Sequence, residues 1–215
     1  IDQSDQTKQG LVPPMFHEGL LFVAPNDGNR LWCIEADSGR VRWQKPQPAR
    51  GDRWRHLLGV AAGGGNGQLI VSGNSLRAFD VETGRETWKI LASETTERGY
   101  GRGVLAGNTV IWPTREAIQF VDVATGQAIR NVPMNTPDAA ETGGNLTIAG
   151  GMLLVAQPEK LVAYGEYSLL KERLHQKLST TSDKVGLLYQ LAEIEASTGE
   201  LEAMIKPLRT ALQSD

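Results

Sequence analysis

The sequence is poor in the residues that most metal and catalytic sites require. It contains one cysteine, Cys33, which excludes an internal disulfide and any zinc site built from two or more cysteines. Its three histidines, His17, His56 and His175, are scattered along the chain and indicate no metal cluster. No Ser-His-Asp or paired-carboxylate motif stands out. The sequence therefore favours a protein that is not an enzyme and binds no cofactor.

Strong charge and long apolar segments are also absent. The 22 Lys and Arg residues and 25 Asp and Glu residues leave a net charge of −3, which gives no support for nucleic-acid binding, since that needs a concentrated basic patch. No apolar run approaches the roughly 20 residues of a membrane-spanning helix. With 40% hydrophobic and 22% charged residues, the composition is that of a globular protein.

The composition changes sharply near residue 166. All five tryptophans and all but two of the 24 glycines lie before that point, and the following segment is rich in Leu, Glu, Lys, Gln and Ala. The first part is typical of strands and turns, and the second of helices. The sequence therefore predicts a β-rich domain over residues 1–165 and an α-helical module over residues 166–215.

The β-rich part contains an internal repeat. The stretch "EADSGRVRW" at 35–43 recurs as "DVETGRETW" at 80–88 and as "DVATGQAIR" at 122–130, with turn glycines 45 and 42 residues apart. Each copy follows two apolar alternating runs, and a fourth unit begins at "GGMLLVAQPEKLVAYG". The repeat residues, in chain order, are Glu35, Gly39, Trp43, Asp80, Gly84, Trp88, Asp122 and Gly126.

A repeat of this length with several strands per unit predicts a β-propeller of four-stranded antiparallel blades. For the second unit we expect strands near 57–62, 68–72, 75–80 and 85–90. The Ser/Thr-Gly step predicts a tight hairpin in which Gly supplies a positive φ. The acidic residue that opens each copy can accept hydrogen bonds from the turn amides. The Trp is a large apolar plate suited to wedging between blades.

The blade count predicts an incomplete propeller. Three full units and a partial fourth that lacks its outer strand are fewer than propellers usually have, so we expect a piece of a longer protein. An open arc of blades would expose apolar faces and strand edges. Self-association through these open edges is therefore a further expectation.

The second copy carries a family resemblance. "AFDVETGRETW" at 78–88 resembles the repeat of pyrroloquinoline-quinone-type propellers, in which an Ala-Leu-Asp start leads to Thr-Gly and then Trp. The first copy departs from this pattern at Glu35 and Ser38, and the third has Arg130 where Trp is expected. In the fourth, Gly165 takes the Asp position. The resemblance covers roughly residues 11–165.

The resemblance implies two branches of function. Quinoprotein dehydrogenases hold the quinone and calcium in the central funnel, whereas non-catalytic relatives such as the BamB-type outer-membrane assembly lipoproteins use the repeat as an interaction scaffold. The disulfide of adjacent cysteines found in alcohol-oxidising dehydrogenases cannot form here. The leading interpretation is a non-catalytic protein-interaction or assembly scaffold in the periplasm or cell envelope. A quinone-dependent dehydrogenase fragment and a carbohydrate- or peptide-binding propeller are the alternatives.

Two loops carry the candidate interaction residues. Both precede the innermost strand of a blade, at one rim of the expected funnel, where aromatic and arginine side chains suit recognition of a protein partner. The alternative is a set of solvated arginines and a packed Trp. The candidates are Arg53, Trp54, Arg55 and His56 in the first loop and Tyr100 and Arg102 in the second.

The C-terminal segment predicts a helical hairpin module. "LLYQLAEIEASTGELEAMIKPLRTAL" resembles a tetratricopeptide repeat, with Gly199, Ala211 and Leu212 at matching positions. Met204, Glu195 and Pro207 depart from that pattern. A tetratricopeptide-like segment and a generic helical hairpin both imply contact with proteins.

Overall fold

The computed structural model describes residues 12–25, 28–48, 52–62, 67–91, 99–133, 143–182, 184–197, 199 and 201–213. They belong to two compact units. The first comprises Ile1–Ile148 with Leu154–Val162, and the second comprises Ala149–Leu153 with Ala163–Asp215. The domain limits of 1–165 and 166–215 stay a prediction.

Three four-stranded antiparallel sheets and one three-stranded sheet follow one another along the described chain, and strand neighbours in each are sequence neighbours. Blade 1 contains β1 (Met15–His17), β2 (Leu20–Val23), β3 (Arg30–Glu35) and β4 (Val41–Pro46). Blade 2 contains β5 (Trp54–Ala61), β6 (Gln68–Gly73), β7 (Leu76–Asp80) and β8 (Glu86–Ile90). Blade 3 contains β9 (Val104–Ala106), β10 (Thr109–Pro113), β11 (Ala117–Asp122) and β12 (Ala128–Pro133). The fourth sheet contains β13 (Asn145–Ala149), β14 (Met152–Ala156) and β15 (Leu161–Tyr164).

Three helices follow: α1 (Tyr167–Thr180), α2 (Val185–Ser197) and α3 (Leu201–Leu212). Helix α2 packs against α3 and also against α1, and Pro207 is buried within α3. No helix in the described part of the chain is long and apolar enough to cross a membrane. The prediction of a mainly β partial propeller with a C-terminal helical module is confirmed.

Strand β6 explains how blade 2 packs on both sides. Its apolar run is continuous, and all of its residues are buried. Successive side chains of a strand point to opposite faces, so Leu69 and Val71 join one core cluster with Phe22 of blade 1. Ile70, between them, joins a second cluster with Trp112 of blade 3. Blade 2 therefore lies between its two neighbours.

The repeat's acidic residue braces the hairpin between the third and fourth strands. Asp80 Oδ1 accepts hydrogen bonds from Thr83 N at 2.8 Å and Thr83 Oγ1 at 2.7 Å. These bonds favour the carboxylate, and chiefly the Thr83 hydroxyl holds the pKa of Asp80 below its usual value. Asp122 makes the same pair of bonds to Thr125, each at 2.9 Å.

The first copy of the turn uses a different brace. Glu35 accepts a hydrogen bond from Ser38 Oγ at 2.9 Å and forms an ion pair with Arg40 at 2.7 Å. The Arg40 hydrogen bond is the main reason that the pKa of Glu35 is lowered. The longer glutamate side chain thus braces the turn through side-chain donors.

A tryptophan from each of the first two blades contacts the turn of the next blade. Trp43 Nε1 donates a hydrogen bond to the Val81 carbonyl at 2.7 Å, and Trp88 Nε1 donates to the Val123 carbonyl at 2.6 Å. Each acceptor directly follows the acidic residue of the next copy. We call this arrangement the inter-blade tryptophan contact.

The turn glycine leaves room for that indole. Gly84 has a φ of +67°, and a Cβ there would lie 2.6 Å from Trp43 Cδ2. Gly126 has the same relation to Trp88, with a φ of +70° and the same 2.6 Å. A glycine is therefore required both by the backbone conformation and by the ring packed against it.

The third blade does not make this contact. Arg130 occupies the Trp position, and its guanidinium lies 5.9 Å from the centre of the Phe120 ring in the same blade. Strand β12 is largely exposed, and the side chain of Ile129 is 61% exposed. With Arg130 in the Trp position, the outer strand of blade 3 contains no fully buried residue.

Candidate functional site

A cavity of about 480 Å³ lies beside the segments that lead into the inner strands of blades 2 and 3 and of the fourth sheet. Its volume is within the range of small-molecule and side-chain binding sites. It is lined by Arg55, His56, Gly73, Gly99, Tyr100, Gly101, Gly144, Asn145, Ala156, Gln157 and Pro158. All of these residues belong to the first compact unit.

Backbone hydrogen bonds hold the cavity wall in place. The Gly99 amide donates to the Asn74 carbonyl at 3.1 Å, and the Gly144 amide donates to the Tyr100 carbonyl at 2.8 Å. The segment of blade 3 is thereby joined to blade 2 on one side and to the fourth sheet on the other. Glycine permits this close approach, since a Cβ at Gly101 would collide with the Gly144 carbonyl.

The structure brings several of the predicted interaction residues to this cavity. Arg55, His56 and Tyr100 line it, and the predicted loop position of Arg55 and His56 is corrected, since both lie at the start of strand β5 whereas Tyr100 precedes β9. Arg102 is exposed, its backbone amide donates to Asn145 Oδ1 at 2.9 Å, and its charge reaches His56. Arg53 is half-buried and is not among the lining residues.

Trp54 differs from the expectation that it presents an exposed recognition surface. Its side chain is only 7% exposed, and its ring packs edge-on against Phe79 with centroids 5.6 Å apart. Trp54 is the first residue of β5, so the strand alternation turns it into the core of blades 1 and 2. It therefore stabilises the blades rather than lining the cavity.

Asn145 and Gln157 line the cavity from the fourth sheet, although the sequence motifs do not predict them as site residues. The repeat alignment starts the fourth unit at 150, whereas β13 begins at Asn145. A signal was present in "GGN" at 143–145, because its glycine pair resembles the glycines in "YGRG" at 100–103. Both pairs precede the first strand of a sheet.

His56 is a neutral group in this cationic setting. Burial lowers its pKa to about 4, and the charges of Arg102 and Arg55 add to this effect. At neutral pH the imidazole therefore serves as a hydrogen-bonding group and carries no charge.

The depressed pKa of His56 predicts a pH-dependent stability. The imidazole of His56 takes up a proton near pH 6.5 in the unfolded chain but only near pH 4 in the folded chain. The stability that the neutral His56 contributes is therefore fully present above pH 6.5 and is lost as the pH falls towards 4. Between pH 7 and pH 5, the wild type should lose about 1 kcal/mol more stability than His56→Asn, after allowance for solvent screening. Urea denaturation followed by circular dichroism at both pH values measures this difference. His175→Asn, at an exposed helical position, is the control, and equal pH dependence of the wild type and His56→Asn would contradict the prediction.

The two arginines beside His56 contrast with other arginines of the chain. Arg77 pairs with Glu86 at 2.5 Å and with Asp52, and Arg42 pairs with Glu82 at 2.8 Å. Among the described residues, Arg55 and Arg102 have no carboxylate within ion-pair distance. The cavity region therefore carries uncompensated positive charge in the part of the chain that the structure describes.

Other chemistry-bearing groups lie away from this cavity. Cys33 is fully buried, and burial is the main reason that its thiol pKa rises to about 11, so the reactive thiolate is disfavoured. Within the described ranges, no group of three or more His, Cys, Asp or Glu residues is placed to hold a metal ion.

Comparison with known proteins assigns the family. The family model described as outer membrane protein assembly factor BamB matches residues 3–186, which is most of the chain. The chain belongs to this family. No curated protein matches the sequence.

Several solved structures resemble the chain. BamB from Moraxella catarrhalis is 17% identical, with a TM-score of 0.49 over 68% of this chain and 42% of that chain. The computationally designed Ika4 protein is 14% identical, with a TM-score of 0.50 over 74% of this chain and 93% of that one. The quinohemoprotein alcohol dehydrogenase from Comamonas testosteroni is 17% identical, with a TM-score of 0.49 over 68% of this chain and 29% of that one.

These low identities limit the comparison to the fold, and the likeness to Ika4, with its TM-score of 0.50, supports a shared fold. The chain spans less than half the length of the Moraxella catarrhalis BamB.

Proposed function

We propose that this BamB-family chain is a non-catalytic protein-interaction or assembly scaffold of the periplasm or cell envelope. The observation that carries the proposal is the cavity, which Arg55 and Tyr100 line from separate blades and beside which Arg55 and Arg102 have no carboxylate partner among the described residues. An exposed arginine and a half-buried tyrosine around a fixed backbone frame suit the binding of a protein segment. The family description, an outer membrane protein assembly factor, agrees with this role and with an envelope location.

The dehydrogenase alternative is tested against the residues present. Calcium in proteins is bound by carboxylate, carbonyl and amide oxygens. The cavity offers the amides of Asn145 and Gln157, but none of its described lining residues is Asp or Glu. The arginines there would also repel a cation. This residue set does not fit the calcium ion that accompanies the quinone, which favours the scaffold over the enzyme.

The helical segment adds a second surface to the proposal. Helices α2 and α3 pack against each other, and Leu188, Leu191 and Ala211 on them are buried, which is compatible with the proposed tetratricopeptide-like module. Tyr189 and Ile205 are nearly half exposed on these helices, at 47% and 49%. We propose that they contact protein as well, and that the exposed outer strand of blade 3 supports self-association.

Site-specific photo-crosslinking tests the scaffold role. A benzophenone amino acid introduced at Arg55 or at Arg102 should crosslink to a protein of the bacterial envelope fraction. The matched control is Arg85, an exposed arginine in the hairpin turn of blade 2, where no such adduct should form. An adduct between two copies of the chain would support self-association.

Two results would contradict the proposal. One is equal crosslinking at Arg55, Arg102 and Arg85, since the adducts would then not depend on the cavity. The other is turnover in a dye-linked assay after addition of pyrroloquinoline quinone and calcium, which would favour the dehydrogenase.

A further inference from the structure

The chemistry around the cavity narrows the kind of group that it can bind. Arg55 lines the cavity, the backbone amide of Arg102 is hydrogen-bonded to the lining Asn145, and Arg115 lies 5.9 Å from the centre of the lining Tyr100 ring. None of these three arginines has an ion-pair partner among the described residues. Three cations around one cavity favour an anionic ligand.

Neutral polar groups at the cavity add directional contacts. Asn145 Oδ1 accepts a hydrogen bond from the backbone amide of Arg102 at 2.9 Å. This bond fixes the Asn145 side chain and leaves its Nδ2 as a hydrogen-bond donor. Gln157 Nε2 donates to the Gly143 carbonyl at 3.2 Å, so a second amide at the wall is held in place. Donors held by the backbone frame in this way suit a planar acceptor with two oxygens.

We propose that this cavity binds a carboxylate side chain of an acidic peptide segment, through Arg55 and Arg102 with Asn145 as the neutral donor. The proposal rests on the proposed scaffold function and specifies the partner chemistry for the same site. An arginine guanidinium and a carboxylate form paired, charge-assisted hydrogen bonds, which are stronger than neutral ones.

Charge and size favour a peptide over a membrane surface. The whole chain has a net charge of −3 and therefore lacks the overall excess of basic residues that drives adsorption to anionic lipid. The positive charge is instead local to a cavity of about 480 Å³, which is large enough for one or two side chains of a peptide and too small for an extended lipid surface.

Fluorescence anisotropy with a matched pair of peptides tests the proposal. The probe is a fluorescein-labelled octapeptide of alternating Gly and Glu, and its control has Gln in place of each Glu. The chain should bind the Glu peptide at least about tenfold more tightly than the Gln peptide, and Arg55→Ala or Arg102→Ala should each weaken binding about tenfold. Arg85→Ala, which removes the same charge at a distant exposed turn, should leave binding unchanged.

A conservative variant and folding controls complete the binding experiment. Arg55→Lys keeps the charge without the two-pronged donor, so it should bind between the wild type and Arg55→Ala. Unchanged circular dichroism and melting temperature show that each variant is folded. Equal binding of the Glu and Gln peptides, or equal loss with Arg85→Ala, would overturn the proposal.

Competition distinguishes the sources of an anion. Displacement of the Glu peptide by inorganic phosphate at equal concentration, or by vesicles of phosphatidylglycerol and phosphatidylcholine, would overturn the peptide assignment in favour of a phosphate or lipid ligand. Crosslinking to a protein at Arg55 and Arg102 without any Glu preference would sink this inference and leave the scaffold proposal standing. A preference for the Glu peptide without a crosslinked protein would contradict the scaffold proposal and leave this inference standing.

Discussion

Replacing Trp43 with Ala should lower the free energy of unfolding by about 3–5 kcal/mol, the usual cost of deleting a large buried aromatic side chain. The indole of Trp43 is only 8% exposed, and its ring lies 5.9 Å from that of Phe22. Its Nε1 also donates to the Val81 carbonyl of the next blade at 2.7 Å. The substitution removes this hydrogen bond and leaves a cavity between blades 1 and 2. Guanidinium denaturation followed by circular dichroism measures the loss.

Trp32→Ala is the matched control for this prediction. Trp32 belongs to the same blade, is half-buried, and its indole hydrogen bond to Gln44 at 3.2 Å stays within that blade. Its removal should cost about 1–2 kcal/mol, in proportion to the smaller apolar area that it buries. Equal losses for Trp32→Ala and Trp43→Ala would show that the contact between blades contributes nothing beyond ordinary burial.

Gly84→Ala should lower the free energy of unfolding by about 3 kcal/mol, for two separate reasons. An alanine at a φ of +67° carries roughly 1–2 kcal/mol of backbone strain. Its methyl group would also lie 2.6 Å from Trp43 Cδ2, and such overpacking typically costs about 1–3 kcal/mol. The same denaturation experiment measures the sum.

Gly39→Ala separates the two reasons. Gly39 occupies the same turn of blade 1 with a φ of +68°, but no atom of the described residues lies within 4 Å of a Cβ built there. This variant should therefore show the strain alone, about 1–2 kcal/mol. A cost for Gly39→Ala as large as that for Gly84→Ala would exclude the indole as the source of the difference.

The sequence predicts the blades well because each blade is a local structure. Strands β6, β7 and β8 are hairpin-connected, and their alternating apolar residues with the Thr83–Gly84 turn specify register over a few residues. The strands of blade 2 accordingly lie close to the predicted positions. The first strand begins earlier than expected, at Trp54 rather than 57, because Trp54 and His56 pair with β6 across a register irregularity at Arg55.

The partner of each tryptophan could not be predicted from a single copy of the repeat. Trp43 and the Val81 carbonyl are 38 residues apart, and only the packing of one blade on the next brings them together. The sequence predicts that the Trp wedges between blades, whereas the identity of the acceptor and the crowding at Gly84 follow from the coordinates.

The cavity likewise combines residues that the local sequence indicates with residues that only the packing of the sheets brings together. The arginine and aromatic content at the start of β5 and in the segment before β9 is visible in the sequence, and so is the equivalent place of the two segments in their units. Whether Trp54 points into the core depends on which face of strand β5 it occupies. Sequence alternation does not decide this, because the strand begins among several polar residues. Asn145 and Gln157 enter the site only because the fourth sheet packs beside blade 3.

The central claim is that the repeat residues join one blade to the next. A double-mutant cycle between Trp43→Ala and Gly84→Ala tests this claim most directly. With the indole removed, the methyl group of Ala at position 84 has space, so Gly84→Ala should cost only the backbone strain, about 1–2 kcal/mol, instead of about 3 kcal/mol. The same cost of Gly84→Ala with and without Trp43 would contradict the account.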